Sequence, residues 1–270
     1  MNAAPAPIRL RQVCLATRDL YAVIDDLRAV LGIEVCHGKA DLARYGIPYE
    51  PPPQHSAAFF AQHGLVNALL PLGHTLVEVV APTRADSPLA RYLDRRRGAA
   101  GYMFIAEVDN VAPYEARVKA AGIRIAGGTD YPQYRDLQLD PRDVGGTLLT
   151  FSMQREGRPF DGGWYPAGPH WRATPGEVAM VGAEIACRDP HAVAARWSGV
   201  IGRPVAMGLR IALDSSEVRF TGDADERGER LAIVDVAGLD TSAVRQKAQA
   251  RNLPLTDDGV AICGVSFRPV

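Results

Sequence analysis

The stretch Ala16–Val23, which reads ATRDLYAV, recurs as ACRDPHAV at Ala186–Val193. The offset between the two copies is constant and continues through Leu31-Gly32, which corresponds to Ile201-Gly202. Each copy has the pattern of a strand, a short turn, an amphipathic helix and a glycine that ends the helix. In both copies the turn aspartate predicts a helix N-cap, and the glycine predicts a left-handed C-cap. A supersecondary unit that recurs at a fixed offset indicates duplication.

Two weaker units repeat the same order of elements. One has a strand at 104–108 and a helix at 111–121, and the other has a strand at 230–236 and a helix at 242–251. With the two stronger units they predict an α+β fold of tandem βαβββ modules, which form two cup-shaped mixed sheets flanked by helices.

We expect the modules to pair as an N-terminal half, 8–153, and a degenerate C-terminal half, 178–270. Between them, residues 154–177 are dense in proline, glycine and tryptophan, a composition typical of an irregular linker. The aromatic side chains of this linker are expected to pack against the cups.

The composition excludes several classes of protein. The chain has 270 residues, is 47% hydrophobic and carries a net charge of -1, which is ordinary for a globular protein and argues against a nucleic-acid-binding surface. No apolar run approaches the roughly 20 residues that cross a bilayer. The first residues lack the features of a signal peptide, so a cytoplasmic location is expected. The four cysteines have no CxxC spacing and are predicted to be free thiols.

Two polar residues stand inside strand-like apolar runs. Gln12 opens the run QVCLA, and Glu78 lies within HTLVEVVAP. A buried polar group without a partner costs roughly 1–3 kcal/mol, so each of these side chains must find one. The two side chains either hold a divalent metal together or form hydrogen bonds with each other or with nearby backbone.

The opening strand, the strand around Glu78 and the run Gly64–Gly73 resemble the vicinal oxygen chelate superfamily, and the last of these its glyoxalase-like subgroup. That family places metal ligands on the first and fourth strands of each module. The resemblance therefore implies that Gln12 and Glu78 are metal ligands. Met103 stands where the family usually has histidine, and Thr150 where it usually has glutamate.

The resemblance implies at most one weakly bound divalent ion (Zn, Ni, Co, Mn or Fe) and otherwise no cofactor. It also implies isomerase-, lyase- or epimerase-type chemistry on a small oxygen-rich organic or acyl substrate in the N-terminal cup. The alternative is a metal-free protein that binds and sequesters a small molecule. Extradiol dioxygenase chemistry is disfavoured, because neither half offers the two histidines of its iron site. No nucleic-acid or membrane partner is expected, and a homodimer is left open.

Further site residues are expected around the cup. Tyr102 and Asp140 join Glu78 as catalytic candidates, and the predicted substrate-binding residues are Asn67, Tyr131, Tyr134 and Arg142. Asp140 and Arg142 belong to a loop that resembles a loop of epimerase-like members. The alternatives are a salt bridge of Arg142 with Asp140 or Asp143, and ordinary packing for the tyrosines.

In the C-terminal half, Gly182 and Arg219 take the places of Gln12 and Glu78. Glycine and arginine cannot hold a metal. This half is therefore expected to be structural, with anion binding by Arg219 as the alternative.

Overall fold

The computed structural model describes residues 6–51, 54–156, 160, 162–168, 171, 178–257 and 259–270. The first five residues, on which part of the signal-peptide argument rests, lie outside these ranges, as does much of the linker. Within these ranges no helix has both the length and the apolar character needed to cross a membrane. All four cysteines are free thiols.

The N-terminal half contains two modules, each with a strand, a helix and three further strands. The first consists of β1 (Ile8–Ala16), α1 (Leu20–Leu31), β2 (His37–Gly38), α2 (Gln54–His63), β3 (Leu65–Leu72) and β4 (Thr75–Pro82). Helix α3 (Pro88–Arg95) leads to the second. The second consists of β5 (Ala100–Val108), α4 (Ala112–Ala120), β6 (Ile125–Gly127), β7 (Tyr134–Leu139), α5 (Pro141–Val144) and β8 (Leu148–Gln154).

The C-terminal half repeats this order in a reduced form. Its elements are β9 (Ala179–Cys187), α6 (Pro190–Ile201), β10 (Arg210–Ala212), β11 (Glu217–Gly222), β12 (Arg230–Ala237), α7 (Thr241–Ala250), β13 (Val260–Ile262) and β14 (Val265–Pro269). The place of the second strand is taken in each module by an isolated bridge. One joins Ala206 to Arg210, and the other joins Leu255 to Val260.

The predicted helix caps are confirmed. The Asp19 side chain accepts a hydrogen bond from the Ala22 backbone N–H, and Asp189 accepts one from Ala192. Gly32 and Gly202 end α1 and α6 in the left-handed region, with φ of 70° and 77°. These caps satisfy backbone groups that a helix terminus leaves without partners.

The strands of the described ranges join one 14-stranded mixed sheet flanked by helices, so the predicted α+β fold class is confirmed, with the two expected cups joined in a single sheet. In each half the first strands of the two modules pair antiparallel, as β1 with β5 and β9 with β12. Each first strand also pairs in parallel with the last strand of its own module. Glu78 lies beside Cys14, and Arg219 beside Glu184, at equivalent places of the two halves.

The two halves share one hydrophobic core. Trp197 of α6 is fully buried, and its ring meets Phe104 of the first half at 5.5 Å and Phe220 of the second at 5.3 Å. Its indole N–H donates to the Gly145 carbonyl. Helices also pack across the halves, where Arg251 of α7 pairs with Asp26 of α1 at 2.7 Å.

The sheet passes from one half to the other where Gly101 of β5 pairs with Leu231 of β12. A Cβ atom at position 101 would lie 2.2 Å from the Leu231 carbonyl oxygen, so only glycine permits this approach.

We expect Gly101→Ala to lower the free energy of unfolding by about 1–3 kcal/mol, because the methyl group forces β5 and β12 apart. The matched control is Gly199→Ala in α6, where an added Cβ meets nothing within 4 Å. Denaturant unfolding of both variants measures the difference. Equal stability of the two variants would contradict the close packing of the halves at Gly101.

Candidate functional site

One face of the N-terminal sheet, here called the first cup, carries the predicted metal positions. Strand register places Gln12 and Cys14 of β1 on this face, with Glu78 beside Cys14 on β4. On the other side of β1, Met103 pairs with Cys14, and Thr150 of β8 lies one strand beyond in the row of Gln12. The fold therefore brings the four positions expected from the sequence to one face.

Gln12 and Glu78 bind each other. The Gln12 amide Nε2 donates to Glu78 Oε2 at 2.7 Å, and the Asn67 amide Nδ2 donates to Glu78 Oε1 at 2.7 Å. Gln12 Oε1 in turn accepts from the indole N–H of Trp164 at 2.8 Å. This arrangement matches the alternative in which the polar side chains satisfy one another.

The orientation of both amides follows from their other partners. Trp164 is a donor only, so it fixes the oxygen of Gln12 toward the linker and the nitrogen toward Glu78. The backbone N–H of Lys39 donates to Asn67 Oδ1 and orients Asn67 in the same way. Burial raises the pKa of Glu78 above its ordinary value, and the two amide donors oppose that shift.

The linker fills one side of the first cup. Trp164 is buried and packs with Leu76 and Ile105, which lie in the row of Gln12, and with Tyr134 of β7. A 3-10 turn at Tyr165–Ala167 follows it. The expectation that linker aromatics pack against a cup is therefore correct for Trp164. Asp161, Pro169 and His170 lie outside the described residues.

An ion pair that the sequence reasoning missed anchors this linker. Arg11 and Glu107 have fully buried side chains, 3.5 Å apart, and Arg9 adds a second contact to Glu107 at 2.8 Å. Arg11 donates to the carbonyls of Gly162 and Gly163. The signal was available, because both residues are charges inside apolar strands, the feature that singled out Gln12 and Glu78.

The other side of the first cup is covered by α3. Leu89 and Leu93 pack with Cys14 and Val80, and Tyr102 lies beside Tyr92 at 4.9 Å between ring centroids. Tyr102 occupies a bulge, because Cys14 pairs with Met103 and Leu15 with Gly101. Burial raises the pKa of Tyr102, so its hydroxyl stays protonated over the physiological range.

The residues at the metal positions do not fit a divalent ion. Both Glu78 oxygens already accept amide donors, and Gln12 Oε1 accepts from Trp164. Met103 is a soft thioether and Thr150 a neutral hydroxyl, and neither replaces an imidazole or a carboxylate for such an ion. Among the described residues, no three His, Cys, Asp or Glu side chains are grouped closely enough to hold a metal.

Asp140 and Arg142 contact each other at the start of α5. Asp140 caps α5 and accepts both Nε and Nη2 of Arg142, while Asp143 pairs with Arg124 at 2.7 Å. The backbone that follows contacts the C-terminal half, where Gly146 N–H donates to Glu229. The salt-bridge alternative therefore describes the contacts of Arg142.

The two tyrosines predicted to bind substrate contact the linker. Tyr134 is buried, donates to the Ser152 hydroxyl at 2.9 Å and meets the Trp164 ring edge-on at 5.5 Å. Tyr131 lies 6.0 Å from the Tyr165 ring. Asn67 is the predicted substrate-binding residue that the structure brings to Glu78.

The equivalent face of β9, β11, β12 and β14, here called the second cup, carries a closed network of charges. Arg219 pairs with Glu217 at 2.7 Å and Asp235 at 2.5 Å, and Arg268 pairs with Asp235 at 2.7 Å. A Cβ atom at Gly182 would lie 2.4 Å from the Asp235 carboxylate, so glycine makes room for this network. The contacts match the structural expectation for this half.

Comparisons with known proteins give relatives for half of the chain and a fold for nearly all of it. No protein-family model matches. The chain is 27% identical over 146 residues to an ethylmalonyl-CoA/methylmalonyl-CoA epimerase of Cereibacter sphaeroides, which covers 52% of this chain and 94% of the relative. It is 29% identical over 147 residues to the mitochondrial methylmalonyl-CoA epimerase of Bos taurus, which covers 52% and 71%. A mutant 4-hydroxymandelate synthase of Streptomyces coelicolor has a TM-score of 0.65 at 12% identity, covering 92% of this chain and 76% of that one.

We expect the stability of Glu78→Gln relative to that of the wild type to increase as the pH rises above 4.5, the ordinary pKa of the carboxyl. The folded state binds the Glu78 proton more tightly than the unfolded state, so the wild type loses stability as that proton leaves. Denaturant unfolding over a pH series measures this difference. Glu34→Gln, at an exposed carboxylate paired with Arg28, is the control. A decrease of this relative stability with rising pH would mean that the amide donors lower the pKa of Glu78 more than burial raises it.

Proposed function

Because this chain belongs to the vicinal oxygen chelate superfamily, we propose that its first cup binds a small organic molecule beside Glu78 without a divalent metal. The observation that carries the proposal is the hydrogen-bond chain from Trp164 through Gln12 and Glu78 to Asn67. It uses the oxygens that would otherwise face a metal, and it leaves a carboxylate of fixed orientation inside the cup.

The proposal places the ligand in a recess beside Glu78, where three side chains are incompletely buried. Glu78, Tyr102 and Met103 each keep part of their surface accessible. Burial raises the pKa of both Glu78 and Tyr102 above their ordinary values. Such a site, mainly apolar with few polar groups, suits a small ligand.

Thr150 supplies a second polar group for that ligand. Its side chain is 1% exposed, and its Oγ1 has no hydrogen-bond partner within the described part of the chain. A buried hydroxyl without a partner costs about 1–3 kcal/mol, which a ligand oxygen would recover. We therefore place the ligand beside the Glu78 carboxylate, with Met103 beneath it, and propose that one of its oxygens reaches across β1 and β5 toward the Thr150 hydroxyl. A hydroxyl or carbonyl compound fits this pair.

We expect protein purified without chelators to carry zinc, nickel, cobalt, manganese or iron far below one ion per chain. Met103→His with Thr150→Glu should bind Co²⁺ or Zn²⁺ stoichiometrically, because the double variant adds an imidazole and a carboxylate to Glu78. Elemental analysis and the Co²⁺ absorption spectrum measure both. Stoichiometric metal in the wild type, lost in Glu78→Gln, would overturn the metal-free proposal.

Ligand binding is tested separately with phenol as a small hydroxyl probe. We expect phenol to bind the wild type, and binding to weaken in Glu78→Gln and in Thr150→Val, which keeps the shape and removes the hydroxyl. Glu34→Gln is the control. Protein-observed NMR titration measures the affinities. A wild type that binds phenol no better than Glu78→Gln would count against the recess.

The named relatives favour a second candidate, proton transfer at the carbon beside an acyl carbonyl. Both relatives are epimerases of acyl-CoA compounds by name. A carboxylate whose pKa is raised by burial is a better base than an ordinary glutamate, and Glu78 is the group that would take the proton. Tyr102 would act as a hydrogen-bond donor. Asp140 and Arg142 stay predictions for this reaction, since their contacts lie elsewhere.

We expect deuterium from D2O to enter the α-position of methylmalonyl-CoA in the presence of the wild type, and Glu78→Gln to abolish the exchange. Addition of EDTA should leave the rate unchanged. Proton NMR follows the reaction. Absence of exchange, together with phenol binding, would leave the binding function and remove the catalytic one.

A further inference from the structure

We infer that Trp164 determines the upper size limit of ligands in the first cup, acting as a fixed wall built from the linker. This inference rests on the proposed function, because it concerns the same recess. The wall is here called the plug and consists of residues 162–168. It deepens the proposal by naming the class of ligand that the cup admits, namely molecules no larger than one ring.

The Trp164 side chain covers part of the first cup next to Glu78. Its side chain packs on Leu76 and Ile105, the two neighbours of Gln12 across the sheet. Its indole N–H reaches Gln12 Oε1 at 2.8 Å. The indole therefore covers the part of this row formed by Leu76, Gln12 and Ile105, while the next row, with Glu78 and Met103, keeps accessible surface. A ligand beside Glu78 meets the indole as the side wall of its site.

Contacts with the sheet hold the plug on both sides of Trp164. Buried Arg11 donates to the carbonyl of Gly162 at 2.7 Å, and its guanidinium lies 5.1 Å from the Trp164 ring and 5.3 Å from the Trp171 ring. At the far end of Trp164, the Tyr165 N–H donates to Gln154 Oε1 at 2.7 Å. The plug is therefore held from both sides of Trp164. These contacts hold Trp164 in place as a wall of the proposed site.

The Trp164 indole occupies volume that a larger ligand would need. An indole buries about 150–250 Å² of surface, so its removal opens a large volume in the cup. Engineered apolar cavities of that kind stay dry and bind aromatic rings. The opened volume would adjoin the Glu78 recess, and it would be lined by Leu76, Ile105 and Tyr134. The second fused ring of a larger ligand would fit into this volume.

The test compares phenol with 2-naphthol, which adds one ring to the same hydroxyl. We expect the wild type to bind phenol more tightly than 2-naphthol. Trp164→Ala should reverse the order by about tenfold or more, which is within the discrimination that apolar pockets reach for a group of this size. Trp164→Phe, which keeps an aromatic wall and removes less volume, should shift the preference in the same direction by less. NMR titration measures all affinities.

The matched control is Trp171→Phe. Trp171 also lies over Arg11, packs against the same cluster as Trp164 without being part of its buried set, and has its ring 6.3 Å from that of His74. A general loosening of the linker would change the control as well, whereas a wall at the ligand changes only the Trp164 variants. Circular dichroism and thermal unfolding establish that each variant is folded, and Trp164→Phe decides the matter if Trp164→Ala does not fold.

The outcomes separate the two proposals. A wild type that binds phenol but keeps its preference in folded Trp164 variants overturns the size limit and leaves the recess intact. A wild type that binds neither probe overturns the recess. If Trp164→Ala then binds 2-naphthol, the plug excludes ligands altogether, and its role as a wall is supported without the proposed function.

Discussion

The buried ion pair between Arg11 and Glu107 is the constraint from which the shape of the first cup follows. Taking two charges out of water is costly, and the pair is tolerable only because other groups share it. Arg9 contacts the same carboxylate, and the Phe160 N–H donates to its other oxygen. The linker therefore helps to satisfy the pair, and the pair fixes the linker. Trp164 enters the cup as a consequence.

A bulge in β1 makes this possible. Leu10 pairs with Ala106 and Gln12 with Ile105, so Arg11 has no opposite residue on β5. Arg11 can therefore reach the linker while Gln12 keeps its place on the cup face. The C-terminal half has the same irregularity at Val181, because Met180 pairs with Val236 and Gly182 with Asp235. The duplicated backbone thus carries different chemistry at equivalent bulges.

The caps, the modules and the meeting of Gln12 with Glu78 were predictable from sequence, because each depends on local pattern or on pairing within one module. The path of the linker was not. It depends on Arg11 and Glu107, which lie in different modules and meet only after β1 and β5 pair. The loop of Asp140 was placed by resemblance, and in the structure its end, at Gly145 and Gly146, contacts the C-terminal half.

The Gln12 amide couples the plug to the charge of Glu78. Because Trp164 offers only a donor, Gln12 must turn its oxygen to the indole and its N–H to the carboxylate. That orientation favours the ionised form of Glu78, since a protonated carboxyl at this contact would present a donor to a donor. Burial acts in the opposite direction and raises the pKa. The plug therefore does more than fill space, because through Gln12 it favours the ionised form of Glu78, which is the hydrogen-bond acceptor that the proposed hydroxyl ligand requires.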